Sequence, residues 1–412
     1  MKFQQATLAN GLELIAECDD AAHSTALGFF VKAGSRDEND AISGVSHFLE
    51  HMVFKGTPRR SPDDVNREFD EMGADYNAFT SEESTVYHAA VLPEFQDRTI
   101  ELLGDIMRPS LREEDFNTEK QVIIEEIRMY DDQPPFGADD KCREAFFGKH
   151  PLGRSVLGTV KSITDLSVDS MRAYFAERYS PKNITLVGSG KIDFDEMVKS
   201  AERTCGEWEP FATKRAMPEV DPRQSFQVLH KESATQEYMI QMANGPTATD
   251  PDRFAAKLLT VILGDDSGSR MYWKLVDPGL AEHAVLHVSG NHGAGAFVTY
   301  LSCDPEFVAE NLQAVRDIYT EAEASGVTAA ELSQAKSKVL SRVVLGSERP
   351  RGRLFVVGGN WMYRREYRTI REDLDSIQAV TTEQIAAILK RFPLTQNTTF
   401  VVGPLSEVTP PV

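Results

Sequence analysis

The segment HFLEHMVFKGT, residues 47–57, places two histidines four positions apart with a glutamate just before the second. On a helix, positions i and i+4 lie about 40° apart, so His47 and His51 share a face. Glu50 falls about 60° to the other side of His47, close enough to reach a water held beside the imidazoles. Two neutral imidazoles and one carboxylate form the usual three-ligand set of a catalytic zinc, which leaves one coordination position open. A second carboxylate outside that set can then take a proton from the water. His-x-x-Glu-His is the inverted order of the commoner His-Glu-x-x-His zinc motif. A helix with two surface histidines and a glutamate would carry the same five residues, so a third ligand elsewhere decides between the two.

The stretch EKQVIIEEIRMY, 119–130, supplies candidates. With Glu119 at 0°, Val122 falls at about 300°, Ile123 at about 40°, Glu126 at about 340° and Tyr130 at about 20°. Both glutamates therefore lie on the Val122/Ile123 stripe, whereas Glu125, at about 240°, lies to one side. A carboxylate among apolar neighbours is costly unless it is paired or binds a cation. Glu126 is the candidate ligand and Glu119 the candidate for steadying the centre or handling its protons. An exposed acidic face with both glutamates solvated is the alternative.

Hydrophobic periodicity predicts the elements that would hold these residues. MKFQQATLANGLELIAE reads as strand, Asn-Gly turn, strand, with no basic and apolar leader pattern. Helices are predicted over 43–55, 61–72 (Ser61 as cap, Pro62 in the first turn), 94–107, 113–130, 139–147 and 167–177. DYNAFTSEESTVYHAAVL reads as two strands around a polar turn, and NITLVGSGKI as another. The proline-rich, aperiodic stretch 206–224 is the linker candidate. Beyond it the order repeats: a strand (EYMIQMANGP), a helix at 251–263, strands at 283–302, and helices at 305–325 and 328–345. NTTFVVG near the end follows the pattern of NITLVG, which points to duplication. The predicted fold is α+β, with two structurally similar domains, 1–211 and 212–412. Each would be a mixed, mostly antiparallel sheet with helices packed on one face.

Length supports two domains, since 412 residues exceed what one core usually serves. A net charge of −20 argues against nucleic acid and mildly favours basic peptides. No run of 18 apolar residues exists, so no membrane span is expected. Cys18, Cys142, Cys205 and Cys303 lack metal or disulfide spacing, which fits a reducing cytoplasm. His283, His287 and His292 are not at ligand spacing and are read as structural. The arginine-rich run 347–368 is read as a solvated, salt-bridged helix face.

With those residues in view, the sequence resembles the inverzincin metallopeptidases, the family of pitrilysin, insulysin and the mitochondrial processing peptidase. HFLEHMVFKGT is similar to the family's zinc-helix motif. EKQVIIEE is similar to its third-ligand segment, which implies Glu126 as ligand and Glu119 as its supporting partner, grouped with Glu50 as catalytic. YNAFTSEESTVY resembles the family strand that pairs with the substrate backbone, implying Asn77, Ala78 and Phe79 as substrate contacts. HPLGRSVLGT and YSPKNITLVG match further landmarks, so the resemblance covers the first half well and the second half more loosely.

The resemblance implies one zinc per chain and an endopeptidase that hydrolyses peptides or unfolded segments, bound extended in a closed chamber. Chains of this length in the family usually pair, so a homodimer or a heterodimer with a related subunit is expected, the C-terminal domain forming chamber and dimer partner. One departure stands out. The family's Arg and Tyr, which hold the substrate carbonyl, are replaced by Leu275 and Glu282, neither of which donates to an oxyanion unless the carboxyl is protonated. Another group, or a second subunit, would have to do this. A non-catalytic or half-site subunit of a heteromeric peptidase or assembly complex is the alternative.

Overall fold

Gly11, at φ +88°, closes the turn that Asn10 starts by accepting from the Leu12 amide, a conformation that suits a residue without Cβ. The turn joins β1 (Lys2–Thr7) to β2 (Glu13–Cys18), as the Asn-Gly pair predicts. This computed structural model describes residues 1–412. With β3 (Thr25–Val31), β4 (Asp75–Thr80), β5 (Thr85–Val91) and β6 (Ile184–Gly190), these strands form a sheet ordered β1-β2-β6-β3-β5-β4. Only β2 and β6 pair in parallel. A second sheet, ordered β7-β11-β8-β10-β9, is built from β7 (Ser225–His230), β8 (Glu237–Asn244), β9 (His283–Asn291), β10 (Ala294–Cys303) and β11 (Asn397–Gly403). Here β7 and β11 are the parallel pair.

Taken in chain order, β2–β6 and β7–β11 follow one arrangement: first, fifth, second, fourth, third. The fold is therefore α+β and duplicated. A Pro-Glu-Phe turn also opens the corresponding helices, at Pro93–Phe95 before Gln96–Ile106 and at Pro305–Phe307 before Val308–Ser325. Helices cover one face of each sheet, over cores that include Phe29, Phe48 and Leu186 in one case and Met239, Leu259 and Val401 in the other.

A further helix covers part of each opposite face. On the first sheet, Ile15, Ala26, Phe30 and Val187 lie under Leu354, Val357 and Met362 of helix Pro350–Arg364. Gly358 allows this approach, since a Cβ there would sit 2.4 Å from Phe30 Cε1. On the second sheet, Ile240, Met242 and Val402 meet Cys142 and Phe146 of helix Ala138–Phe147. The compact units are accordingly interleaved along the chain: Met1–Arg128 with Arg154–Ala216 and Leu345–Arg368, and Met129–Gly153 with Met217–Val344 and Thr369–Val412. Two segments thus cross the 211/212 line drawn through the linker.

The arginine-rich run departs from the solvated face expected of it. Arg353 is 3% exposed and grips Glu17, itself 2% exposed, through Nε–Oε1 at 2.7 Å and Nη2–Oε2 at 2.5 Å. The pattern of charge was legible, but not that a second sheet face needed a helix over it. Stretch 206–224 has no helix or strand beyond the end of the preceding turn, yet its first part is docked. Arg215 reaches Asp37 at 2.9 and 2.6 Å, and Lys214 O accepts from Arg178.

Candidate metal centre

The motif folds as the short helix Val45–Val53. Its start is fixed by the buried Glu38, whose carboxylate accepts from the Gly44 amide at 2.7 Å and the Ser46 amide at 2.8 Å. These are amides a helix start otherwise leaves without partners. Gly44 takes φ +89°, and a Cβ would come within 2.5 Å of Leu157 O. Phe48 stacks on Phe116 with ring centroids 4.6 Å apart. That contact joins the motif helix to the long helix Glu113–Asp132, which carries both glutamates.

On the long helix the buried face comprises Phe116, Glu119, Ile123, Ile124 and Ile127, whereas Val122 is 47% exposed. The stripe expected around Val122 and Ile123 is therefore rotated. Glu119 is buried with these residues and Glu126 stands half-buried at their edge, both carboxylates turned toward the histidines.

His47 Nε2 lies 3.8 Å from Glu126 Oε2, and His51 Nε2 lies 3.7 Å from the same oxygen. The three ligand atoms all fall within 4.8 Å of one another, the one group of three or more His, Cys, Asp or Glu so arranged. Glu50 is half-buried, and its Oε2 accepts from Thr80 Oγ1 at 2.8 Å. His51 Nδ1 meets Glu119 Oε1 at 2.9 Å, and Glu119 Oε2 meets Lys55 Nζ at 2.6 Å.

These contacts suit a zinc ion. Ligand atoms about 2.1 Å from a tetrahedral ion are about 3.4 Å apart, so the two imidazole–carboxylate separations of 3.7–3.8 Å, too long for hydrogen bonds, need only a small contraction. With Nδ1 of His51 turned to the Glu119 carboxylate, Nε2 is the nitrogen that remains to bind a metal. Burial, aided by the neighbouring His51, lowers the His47 pKa to about 4, so this imidazole is neutral at ordinary pH. Burial raises the Glu126 pKa, with Glu119 adding to the effect. Burial likewise raises Glu50, against the Thr80 hydrogen bond. Carboxylates crowded this way are short of positive charge.

Asn77 and Phe79 are exposed and Ala78 is buried on β4, the free edge of the first sheet. The Ala78 amide donates to Asn77 Oδ1 at 2.8 Å rather than to β5. Thr80, at the end of the same strand, was not singled out from sequence, nor were Lys55 and Glu38. Lys55 at i+4 from His51 was a usable signal, while Thr80 and Glu38 emerge only from tertiary contact. Leu275 is fully buried in the second core, and Glu282 accepts from Gln236 Nε2 at 2.6 Å.

Residues 14–160 match the family described as Insulinase (Peptidase family M16), and residues 165–339 match the description Peptidase M16 inactive domain. An "uncharacterized zinc protease" of Mycobacterium tuberculosis is 29% identical over 408 residues, 97% of this chain and 93% of that protein. Another, YmxG of Bacillus subtilis, is 28% identical over 389 residues, 93% and 94% of the two chains. Among solved structures, a protease from Helicobacter pylori superposes with a TM-score of 0.91 at 21% identity, over 98% of this chain and 100% of that one, a likeness of fold.

Proposed function

The chain belongs to the insulinase family of peptidases, M16, and from that premise we propose that it is a zinc-dependent endopeptidase acting on peptides or unfolded segments. The observation that carries this reading is the convergence of His47, His51 and Glu126 beside Glu50. His47 and His51 through Nε2, and Glu126 through Oε2, would hold one zinc per chain. Bound there, zinc supplies a Lewis acid for the scissile carbonyl and acidifies the attacking water.

The remaining steps fall to the chain. Thr80 holds Glu50 Oε2, which leaves Oε1 to take the proton from the attacking water and return it to the leaving amine nitrogen. Glu119 touches neither site of bond making. Both its oxygens are engaged, so we assign it to orienting His51 rather than to proton transfer. The β4 edge offers unpaired backbone groups to an extended peptide alongside Asn77, Ala78 and Phe79. A peptide pairing there would replace the Asn77–Ala78 hydrogen bond.

The reading extends to a closed chamber, a paired assembly of two chains and a cytoplasmic setting. Residues 1–211 would supply catalysis and 212–412 the chamber and the dimer contact. With Leu275 and Glu282 where the family has Arg and Tyr, an oxyanion donor comes from elsewhere, and a second subunit is one source. No helix is long and apolar enough to cross a membrane.

Metal analysis of the purified chain with a peptide-library digest tests the proposal. About one zinc per chain and cleavage abolished by a chelator are expected. Absence of zinc, or cleavage indifferent to chelation, would refute it. Stoichiometric zinc with cleavage appearing only after a related subunit is added favours the half-site alternative.

A further inference from the structure

The zinc reading leaves one neighbouring cation without a role. Lys55 lies just past the motif helix, four residues beyond His51, and its side chain is 35% exposed. Three carboxylates, those of Glu50, Glu119 and Glu126, meet around the two imidazoles. Lys55 is the one lysine or arginine that forms an ion pair with any of them. A divalent ion supplies two of the three positive charges that neutrality requires, and Lys55 supplies the third.

The geometry shows what that charge does. Glu119 is 6% exposed in its side chain and divides its oxygens, Oε2 to Lys55 Nζ at 2.6 Å and Oε1 to His51 Nδ1 at 2.9 Å. With the ammonium removed, Oε2 would be a buried charge without a partner. The carboxylate would then gain by rotating toward the remaining donors, which loosens its hold on Nδ1. A ligating histidine depends on that hold for its tautomer and its ring angle. Resting on the zinc reading, we infer that Lys55 is a positioning residue of the metal centre: it clamps Glu119 so that the Nε2 lone pair of His51 faces the ion.

Zinc affinity tests this without recourse to peptide cleavage. Wild-type, Lys55→Met, Lys55→Arg, Glu119→Gln and Lys55→Met/Glu119→Gln proteins, stripped of metal, would be titrated with zinc against a chromophoric chelator. Their zinc-free melting temperatures would be recorded alongside. Lys55→Met is expected to bind zinc about 10- to 100-fold more weakly, the usual loss for a group supporting a ligand. Lys55→Arg should stay near wild type, because a guanidinium can also pair with Glu119. In the Glu119→Gln background, Lys55→Met should have little further effect.

Lys55→Met affinity within twofold of wild type would overturn the inference. So would an equal loss in the Glu119→Gln background, or a loss that tracks a fall in zinc-free melting temperature in Lys55→Met and Lys55→Arg alike. A wild-type chain that binds no zinc would instead sink the peptidase reading beneath it.

Discussion

Each of the residues proposed for the site is assigned a task that its substitution should isolate. Glu50 is bonded to Thr80 and to no ligand, so Glu50→Gln keeps size and leaves His47, His51 and Glu126 in place. It should retain zinc while kcat falls by at least about 100-fold, the lower end of what a positioned general base contributes. His51→Ala and Glu126→Ala should lose metal and hydrolysis together. Metal content measured beside kcat separates the cases, and full activity in Glu50→Gln would end the general-base assignment. That His47, His51 and Glu126 come together was legible because helical spacing and charge among apolar neighbours are properties of the chain itself. Val122 shows the limit of that reasoning. A helical wheel gives relative angles, but which arc faces inward was set by Phe116, Ile124 and Ile127 against the motif helix.

Two elements flank this site and carry consequences of their own. The Ala78 amide makes no ladder bond to β5, so Ala78→Pro removes a donor from the open edge without breaking the sheet. If peptides pair along β4, this variant should raise KM by about 10-fold, near the worth of a hydrogen bond, with zinc content unchanged. An unaltered KM would place the peptide elsewhere.

On the opposite face of the sheet, His88 on β5 is 3% exposed with its ring edge against Phe355 and Nδ1 unpartnered. Burial first, then the Arg351 charge, lowers its pKa to about 4 from the ordinary 6.5 of histidine. The unfolded chain therefore binds the extra proton in that window, and stability rises as pH climbs from about 4 to about 6.5. Denaturation midpoints of the zinc-free chain should show wild type losing on the order of 2 kcal/mol relative to His88→Leu as pH falls through the window. Parallel curves would remove His88 as the cause. Helices Ile370–Ala379 and Thr382–Arg391 escaped the sequence reading although Thr369 and Thr381 carry capping boxes. Their caps and their apolar stripes were both written in the sequence, so these two helices were within reach of the same reasoning.

At the scale of the whole chain, duplication was visible as a repeated order of strands and helices, and the shared sheet arrangement gives it a physical form. What no local pattern conveyed is the exchange of covering helices. Helix Pro350–Arg364, from late in the chain, completes the unit that holds the His47, His51 and Glu126 cluster, and Ala138–Phe147 covers the other sheet. A run rich in arginine reads as solvent-facing because charge is normally solvated. Arg353 escapes that rule because Glu17 on β2 and the Arg368 carbonyl accept from it inside the protein, while the Tyr367 hydroxyl donates to Glu17 Oε2 at 2.8 Å. Such a pair adds little over an apolar substitute of equal volume, but breaking it strands a charge. Arg353→Met should therefore cost about 3–5 kcal/mol by leaving the Glu17 charge buried without its cation, whereas Arg353→Met with Glu17→Leu should recover most of that loss. Chemical denaturation of the full chain measures both. If the double substitution is as unstable as the single, the pair is not what seats this helix, and the apolar contacts of Leu354, Val357 and Met362 with the sheet would have to account for it.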